Sequence, residues 1–252
     1  MADLFWLSDD QWAVIEPFMP RNQPGPERKD DRQIISGILH VIAAGCRWCD
    51  CPAAYGPSTT VYNRFNRWSR RGFWRAMLSA LAKTGWAGDA AALDSTYVKA
   101  HRSAHGGKGG PRAQGIGPSR GGQTTKVHAL TDVLGRPDVL LLTPGNASDV
   151  TTAPAVLAEA PGRIRRLAAD KGYDADWLRA ALRDQGITPV IPGKRGRKRK
   201  IRHEKRRYRE RWRIEATFNR LKDFRRIATR YDKLARNYAS ALALAAVIAF
   251  WC

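Results

Sequence analysis

The sequence predicts an α/β protein in which a mixed sheet is flanked by helices and preceded by a small helical unit. Three observations predict it. Residues 1–86 read as helices and hold six of the nine Trp. From residue 90 onward, short apolar or β-branched runs are separated by turn residues, the pattern of strands. These runs alternate with helical stretches in the order three strands, helix, strand, helix, strand, helix, which supplies helices for both faces of the sheet.

A chain of 252 residues, 43% hydrophobic and 27% charged, can bury a full core as one large domain or two small ones. That composition excludes a disordered chain. The net charge of +21 exceeds what solubility requires and points to a polyanionic partner, nucleic acid first. Between Lys194 and Arg236 lie 20 of the 44 Lys and Arg against five Asp and Glu, so this segment alone carries a net fifteen positive charges. A phosphate backbone would bind there. An acidic membrane is the competing partner, but no apolar run reaches the roughly 20 residues of a spanning helix, and Ala239 to Trp251 reads as a buried terminal helix. The opening MADLFWLSDDQW lacks the basic and apolar regions of a signal peptide, so a cytoplasmic protein with reduced cysteines is expected. Cys46, Cys49 and Cys51, with His40 nearby, lack the usual ligand spacing for zinc, and none is expected.

In order along the chain, Ser8 followed by Gln11 has the form of a capping box that opens a helix closed by Pro17 and Pro20. A Pro-rich link follows. Asp30 or Asp31 then caps a second helix that stops at Gly45, and Ser58 caps a third. The third helix puts Val61, Phe65 and Trp68 on one side and leaves Tyr62, Asn63, Arg64, Asn66 and Arg67 outward. Arg suits the guanine edge and Asn the adenine edge, so this is a candidate recognition helix of a helix-turn-helix-like unit. A polar outer face on an ordinary helical bundle reads the same way. A fourth helix runs from about Phe73 to Lys83.

Gly85 to Gly88 forms a seam, with a helical DNA-binding domain expected at 1–86 and a second domain at 87–252. Strands are expected at Ala90–Val98, Thr124–Thr131 and Arg136–Thr143, the last two joined as a hairpin. The Gly-rich stretch at 103–123 is expected to be a mobile loop, or one that orders on a DNA backbone. A helix at Asp149–Leu157, a strand at Ile164–Ala169, a helix at Asp174–Arg183 and a strand at Ile187–Ile191 complete the pattern.

Asp94 lies inside a strand that should be central, where a lone carboxylate is costly and needs a partner or a metal. Asp170 closes the fourth strand at its carboxyl end, where open α/β sheets place their sites. The third carboxylate stands in YRERWRIEATFNRLK, Tyr208 to Lys222, a stretch without Gly or Pro that reads as one helix. At about 100° per residue, Tyr208, Arg211, Glu215 and Lys222 fall within an arc of about 60°. An Arg211–Glu215 pair at this spacing is also an ordinary solvated helix pair. Three converging carboxylates need bridging cations, and magnesium suits them because it takes hard oxygen ligands and keeps waters for substrate.

LDSTYVKAH around Asp94, LAADKGYDA around Asp170 and the Tyr-x2-Arg-x3-Glu-x6-Lys spacing together resemble the core of bacterial insertion-sequence transposases of the DDE type, which have an RNase H-like fold. GPSTTVYNRFNRWSRRGFW resembles the segment before that core in the same family. The stretch usually Trp-Arg-Asp-Leu-Pro reads Trp48-Cys49-Asp50-Cys51-Pro52 here.

The resemblance implies Asp94, Asp170 and Glu215 as the catalytic, metal-binding triad for two Mg2+ ions, with Mn2+ able to substitute. It implies Tyr208, Arg211 and Lys222 as holders of the element end. Its substrates would be double-stranded DNA, the terminal inverted repeats and the target, in a synaptic complex of at least a homodimer. An endonuclease or resolvase without strand transfer, and a sequence-specific DNA-binding regulator with an inactive core, are the alternative readings.

Overall fold

The computed structural model describes residues 3–21, 28 and 30–252, so most of the expected Pro-rich link lies outside the described residues. Ser8 and Gln11 form the reciprocal capping box of α1 (Asp9–Ile15). Asp30 caps α2 (Asp31–Ala44) by accepting the Arg32 and Gln33 N–H groups, and Gly45 at φ +77° ends it against the Arg225 side chain. The third helix, α3 (Ser58–Arg70), is not capped by Ser58 as expected. Pro57 holds the N-cap position, and Ser58 is already the first helical residue. The helix α4 (Phe73–Gly85) follows.

The sheet begins with β1 (Ala90–Ala100), its centre, and continues through β2 (Gly117–Ser119), β3 (Gly122–Thr131) and β4 (Pro137–Pro144). A helix α5 (Gly110–Ala113) precedes β2. After α6 (Asp149–Leu157) come β5 (Arg166–Ala169), α7 (Asp176–Asp184) and β6 (Thr188–Val190). β3 pairs antiparallel with both β1 and β4, while β5 pairs parallel with β1 and β6. The backbone order is therefore β4-β3-β1-β5-β6, the mixed RNase H-like sheet that was expected.

Two segments differ from expectation. The stretch from Tyr208 is not one helix: α8 (Lys205–Arg209) and α9 (Trp212–Lys222) meet at a tightened turn, where Arg211 N–H bonds the Tyr208 carbonyl at 3.1 Å and Ile214 N–H bonds the Arg211 carbonyl at 3.1 Å. Three-residue bonds set side chains three apart over one another, so Tyr208 and Arg211 come together at the break between the two helices. The Gly-rich segment is folded, contrary to expectation. It packs on the residues before the last helix, where Gln114 Oε1 accepts the Ala235 N–H at 2.8 Å and a Cβ on Gly107 would stand 2.6 Å from the Lys233 carbonyl.

A short α10 (Arg225–Ala228) and β7 (Thr229–Arg230) lead into α11 (Ala235–Phe250), which is buried from Tyr238 to Ala249 apart from one half-buried alanine. A helix apolar on all sides belongs inside a core. Ala-rich α11 fits between the N-terminal helices and the sheet. Ile38, Phe65 and Trp74 share one cluster with Phe218, Leu244 and Val98. The seam at 85–88 is thus a turn of the chain, with one apolar core running across it. A second cluster, around Leu93, Leu167 and Leu178, fills the opposite face of the sheet beneath α6 and α7. No described helix is long and apolar enough to cross a membrane.

Candidate active site

Parallel pairing sets Leu93 of β1 beside Ala169 of β5, so the next residues, Asp94 and Asp170, stand side by side where β5 ends. The pairing then lapses. β1 gains its next partner on that edge only at Lys99, opposite Thr229. Residues 94–98 therefore border a gap in the sheet.

Alternation along β1 sends Asp94 and Thr96 toward α9 and sends Ser95, Tyr97 and Lys99 to the other face. On the α9 side, Arg211 Nη1 donates to Asp94 Oδ2 at 2.6 Å, and its other terminal nitrogen donates to Glu215. One guanidinium thus spans two of the three expected carboxylates. Lys222 Nζ, further along the same face of α9, donates to Thr96 Oγ1 at 2.7 Å. The expected trio is gathered as a pair of adjacent aspartates with the glutamate joined to them through an arginine. Among the described residues, no three His, Cys, Asp or Glu side chains are drawn together as a metal site.

The electrostatics show what this pocket lacks. Burial pushes the Asp94 carboxyl above its usual range, and Asp170 pushes it the same way; Arg211 and the Ser95 N–H oppose without prevailing. Burial likewise lowers Lys222. Adjacent hard-oxygen carboxylates that are short of positive charge fit a divalent cation, and Glu215, half-exposed, stands next to them through Arg211. Asp170 is held by its own turn, with Oδ1 accepting the Gly172 N–H at 2.7 Å. A Cβ on Gly172 would lie 2.8 Å from that oxygen.

Behind β1 is a polar cluster that the sequence did not reveal. Asp149 Oδ1 accepts from Ser95 at 2.7 Å and pairs with Lys126 Nζ at 3.0 Å, while His128, pushed down to about 4 by burial, bonds Thr143. Tyr173 is buried beside it, its hydroxyl pushed up by burial and then by Asp149, Asp94 and Asp170. Its one legible signal was position: Lys126 and His128 lie directly opposite Tyr97 and Ser95 in the register.

Tyr208 stacks near Arg211, 5.8 Å from ring centre to guanidinium carbon, and edge-on to His203. In α3 the expected outward set divides. Arg64 is a correction: it is buried, paired with Asp31 of α2 and laid over the Trp68 ring. Asn66 accepts a 3.4 Å hydrogen bond from Asn237 of α11, and the Tyr62 ring packs on Trp48. Asn63 and Arg67 face outward.

Known proteins similar to this chain point one way. Residues 7–78 match the family described as "Putative transposase of IS4/5 family", and residues 85–250 match the "Transposase DDE domain". The chain is 34% identical over 137 residues to the "Putative transposase for insertion sequence element IS402" of Burkholderia cepacia, covering 50% of this chain and 63% of that one, less than two thirds of the relative's length. It is 39% identical over 111 residues to the "Putative transposase for insertion sequence element IS6501" of Brucella ovis, covering 44% of this chain and 85% of that one. Among solved structures, the piggyBac transposase synaptic complex with hairpin DNA aligns with a TM-score of 0.42 at 10% identity, over 77% of this chain and 50% of that one. The matched stretch from 85 to 250 takes in each carboxylate and cation around β1, and the chain belongs to the family of transposases with a DDE domain.

Proposed function

We propose that this chain is a DNA transposase that cleaves at the ends of an insertion element and joins the freed 3′ strand to target DNA. The observation that carries the reading is the pairing of Asp94 with Asp170 at the end of β5, tied to Glu215 by one arginine. These three side chains would hold two magnesium ions, or manganese in their place. When bound, the ions supply an activated attacking oxygen and a stabilised leaving oxygen in an in-line displacement at phosphorus.

The chain's own residues do the rest. Arg211 pairs with Asp94 and Glu215 in the free protein. Its planar fork equally fits two phosphate oxygens, so DNA entering the site competes for it. Lys222, partly desolvated beside Thr96, gives a second cation on the same face, and Tyr208 supports Arg211 from outside. The Lys194–Arg236 segment supplies the long-range attraction for the duplex. Asn63 and Arg67 of α3 remain for base contacts in the division into a 1–86 binding unit and an 87–252 catalytic unit. Two ends held together call for two copies of the chain.

The test incubates the protein and Mg2+ with paired end duplexes, taken from the DNA flanking the reading frame, and a supercoiled plasmid. Joined products are expected. Cleavage alone would make it a nuclease, and binding without either would make it a regulator; both outcomes overturn the proposal.

A further inference from the structure

The side of β1 turned away from Arg211 carries a feature that the catalytic reading leaves unused. Tyr97, Lys99, Arg120 and Asn146 border an open groove of about 910 Å³, with Thr124 and Gly145 at its floor. Its character is cationic and aromatic. Tyr97 is 51% exposed, and one face of its ring is covered by the Lys126 ammonium, 4.8 Å from the centroid. Lys126 is itself fixed by Asp149 and by the Ala147 carbonyl at 2.6 Å, so the ring is braced from beneath and open above. Lys99 and Arg120 are exposed and have no acidic partner among the described residues. Thr124 is 4% exposed and its hydroxyl has no hydrogen-bond partner among the described residues.

A braced aromatic face beside free cations and an unsatisfied buried hydroxyl is the equipment for a phosphate backbone with a base drawn out of the duplex and stacked on the ring. Carboxylate competition is absent at close range because Asp149 is taken up by Lys126 and Ser95. Position adds the second half. Tyr97 lies three residues along β1 from Asp94, about 10 Å away. Both lie in the stretch of β1 that has no strand partner on one edge.

We propose that this groove is a second DNA seat, separate from the Lys194–Arg236 surface, and that it holds the target strand that receives the freed 3′ end. The assignment to target rests on the transposase reading, whereas the assignment to DNA does not.

The test uses the full chain with a fluorescein-labelled random-sequence duplex, and follows affinity against salt. Replacing both cations, Lys99→Ala with Arg120→Ala, should weaken binding and make the log–log salt slope shallower by about 1.8, at roughly 0.9 for each phosphate that is no longer neutralised. Tyr97→Ala should lower joining to plasmid while end cleavage stays at the wild-type rate, and Tyr97→Phe should restore joining. On the unaltered protein, a duplex carrying 5-iodouracil should crosslink to the peptide containing Tyr97. A wild-type slope in the double variant, or crosslinks confined to 194–236, overturns the DNA seat. If the slope changes but the wild-type chain neither cuts nor joins, the seat stands and the transposase reading falls. Cleavage and joining lost together in Tyr97→Ala would overturn the target assignment.

Discussion

Asp174, buried, and Asp94, half-buried, are both met by arginine, yet their surroundings drive them in opposite directions. At Asp174, burial pushes the carboxyl up, but donors from Arg197 at 2.6 Å, the Lys194 N–H at 2.7 Å and Arg179 at 2.8 Å outweigh it, and the group is held well below the usual range. At Asp94, burial prevails over Arg211, and Asp170 adds repulsion. The first carboxylate is saturated and ties the end of α7 to the segment after β6. The second is left short of positive charge beside another of its kind. An arginine contact does not by itself mark a structural ion pair; the balance of donors against desolvation does.

The two aspartates should part most sharply in activity. Asp94→Asn, Asp170→Asn and Glu215→Gln should each reduce end cleavage to background in a gel assay, with unfolding free energy within about 1 kcal/mol of wild type. Detectable turnover in any one would remove that residue from the site. Asp174→Ala should do the reverse, lowering stability by about 3 kcal/mol in urea unfolding because it strands the buried Arg179, while the remaining folded fraction keeps its cleavage rate. Equal loss of stability in Asp94→Asn and Asp174→Ala would erase the distinction drawn between them.

A third aspartate sharpens the contrast. Asp138 is buried with one oxygen unpartnered, and burial, then Glu159, push it up to about 7. Its folded value lies above its unfolded one, so its contribution is fully present below about pH 4 and is lost as pH rises through 7. Asp138→Asn should therefore gain about 1 kcal/mol at pH 8, discounted for partial solvent access, and nothing below about pH 4. Gly172→Ala should displace the turn holding Asp170 and slow cleavage several-fold without changing duplex affinity, read by comparing the rate with binding. The smallest effect expected is from Lys222→Ala, a salt slope shallower by about 0.9 in duplex binding.

The sheet and its paired aspartates were legible because strand alternation and turn residues are local signals. Asp94 was placed in a central strand and Asp170 at a strand's end, and the register sets them side by side. What was not legible depends on distant partners. Arg64 reads as an outward side chain until Asp31 and Trp68 are brought to it by packing. The glycines of 103–123 suggest freedom until the segment before α11 is laid against them, where Gly107 admits no side chain. The break at Arg211 is likewise invisible in propensity, since no residue there disfavours a helix. The gap along 94–98 is a matter of where two other strands stop, which no single stretch records.

The placement of α11 bears on how the chain reaches this form. The helices of residues 31–85 have apolar sides that are covered by residues 235–250, so early-made segments wait through some 150 residues of synthesis for their cover. A product cut before Ala235 would leave Ile38, Phe65 and Trp74 in water and should aggregate or be degraded, not persist as a separate DNA-binding fragment. Premature stops in this gene would thus yield no lasting partial product.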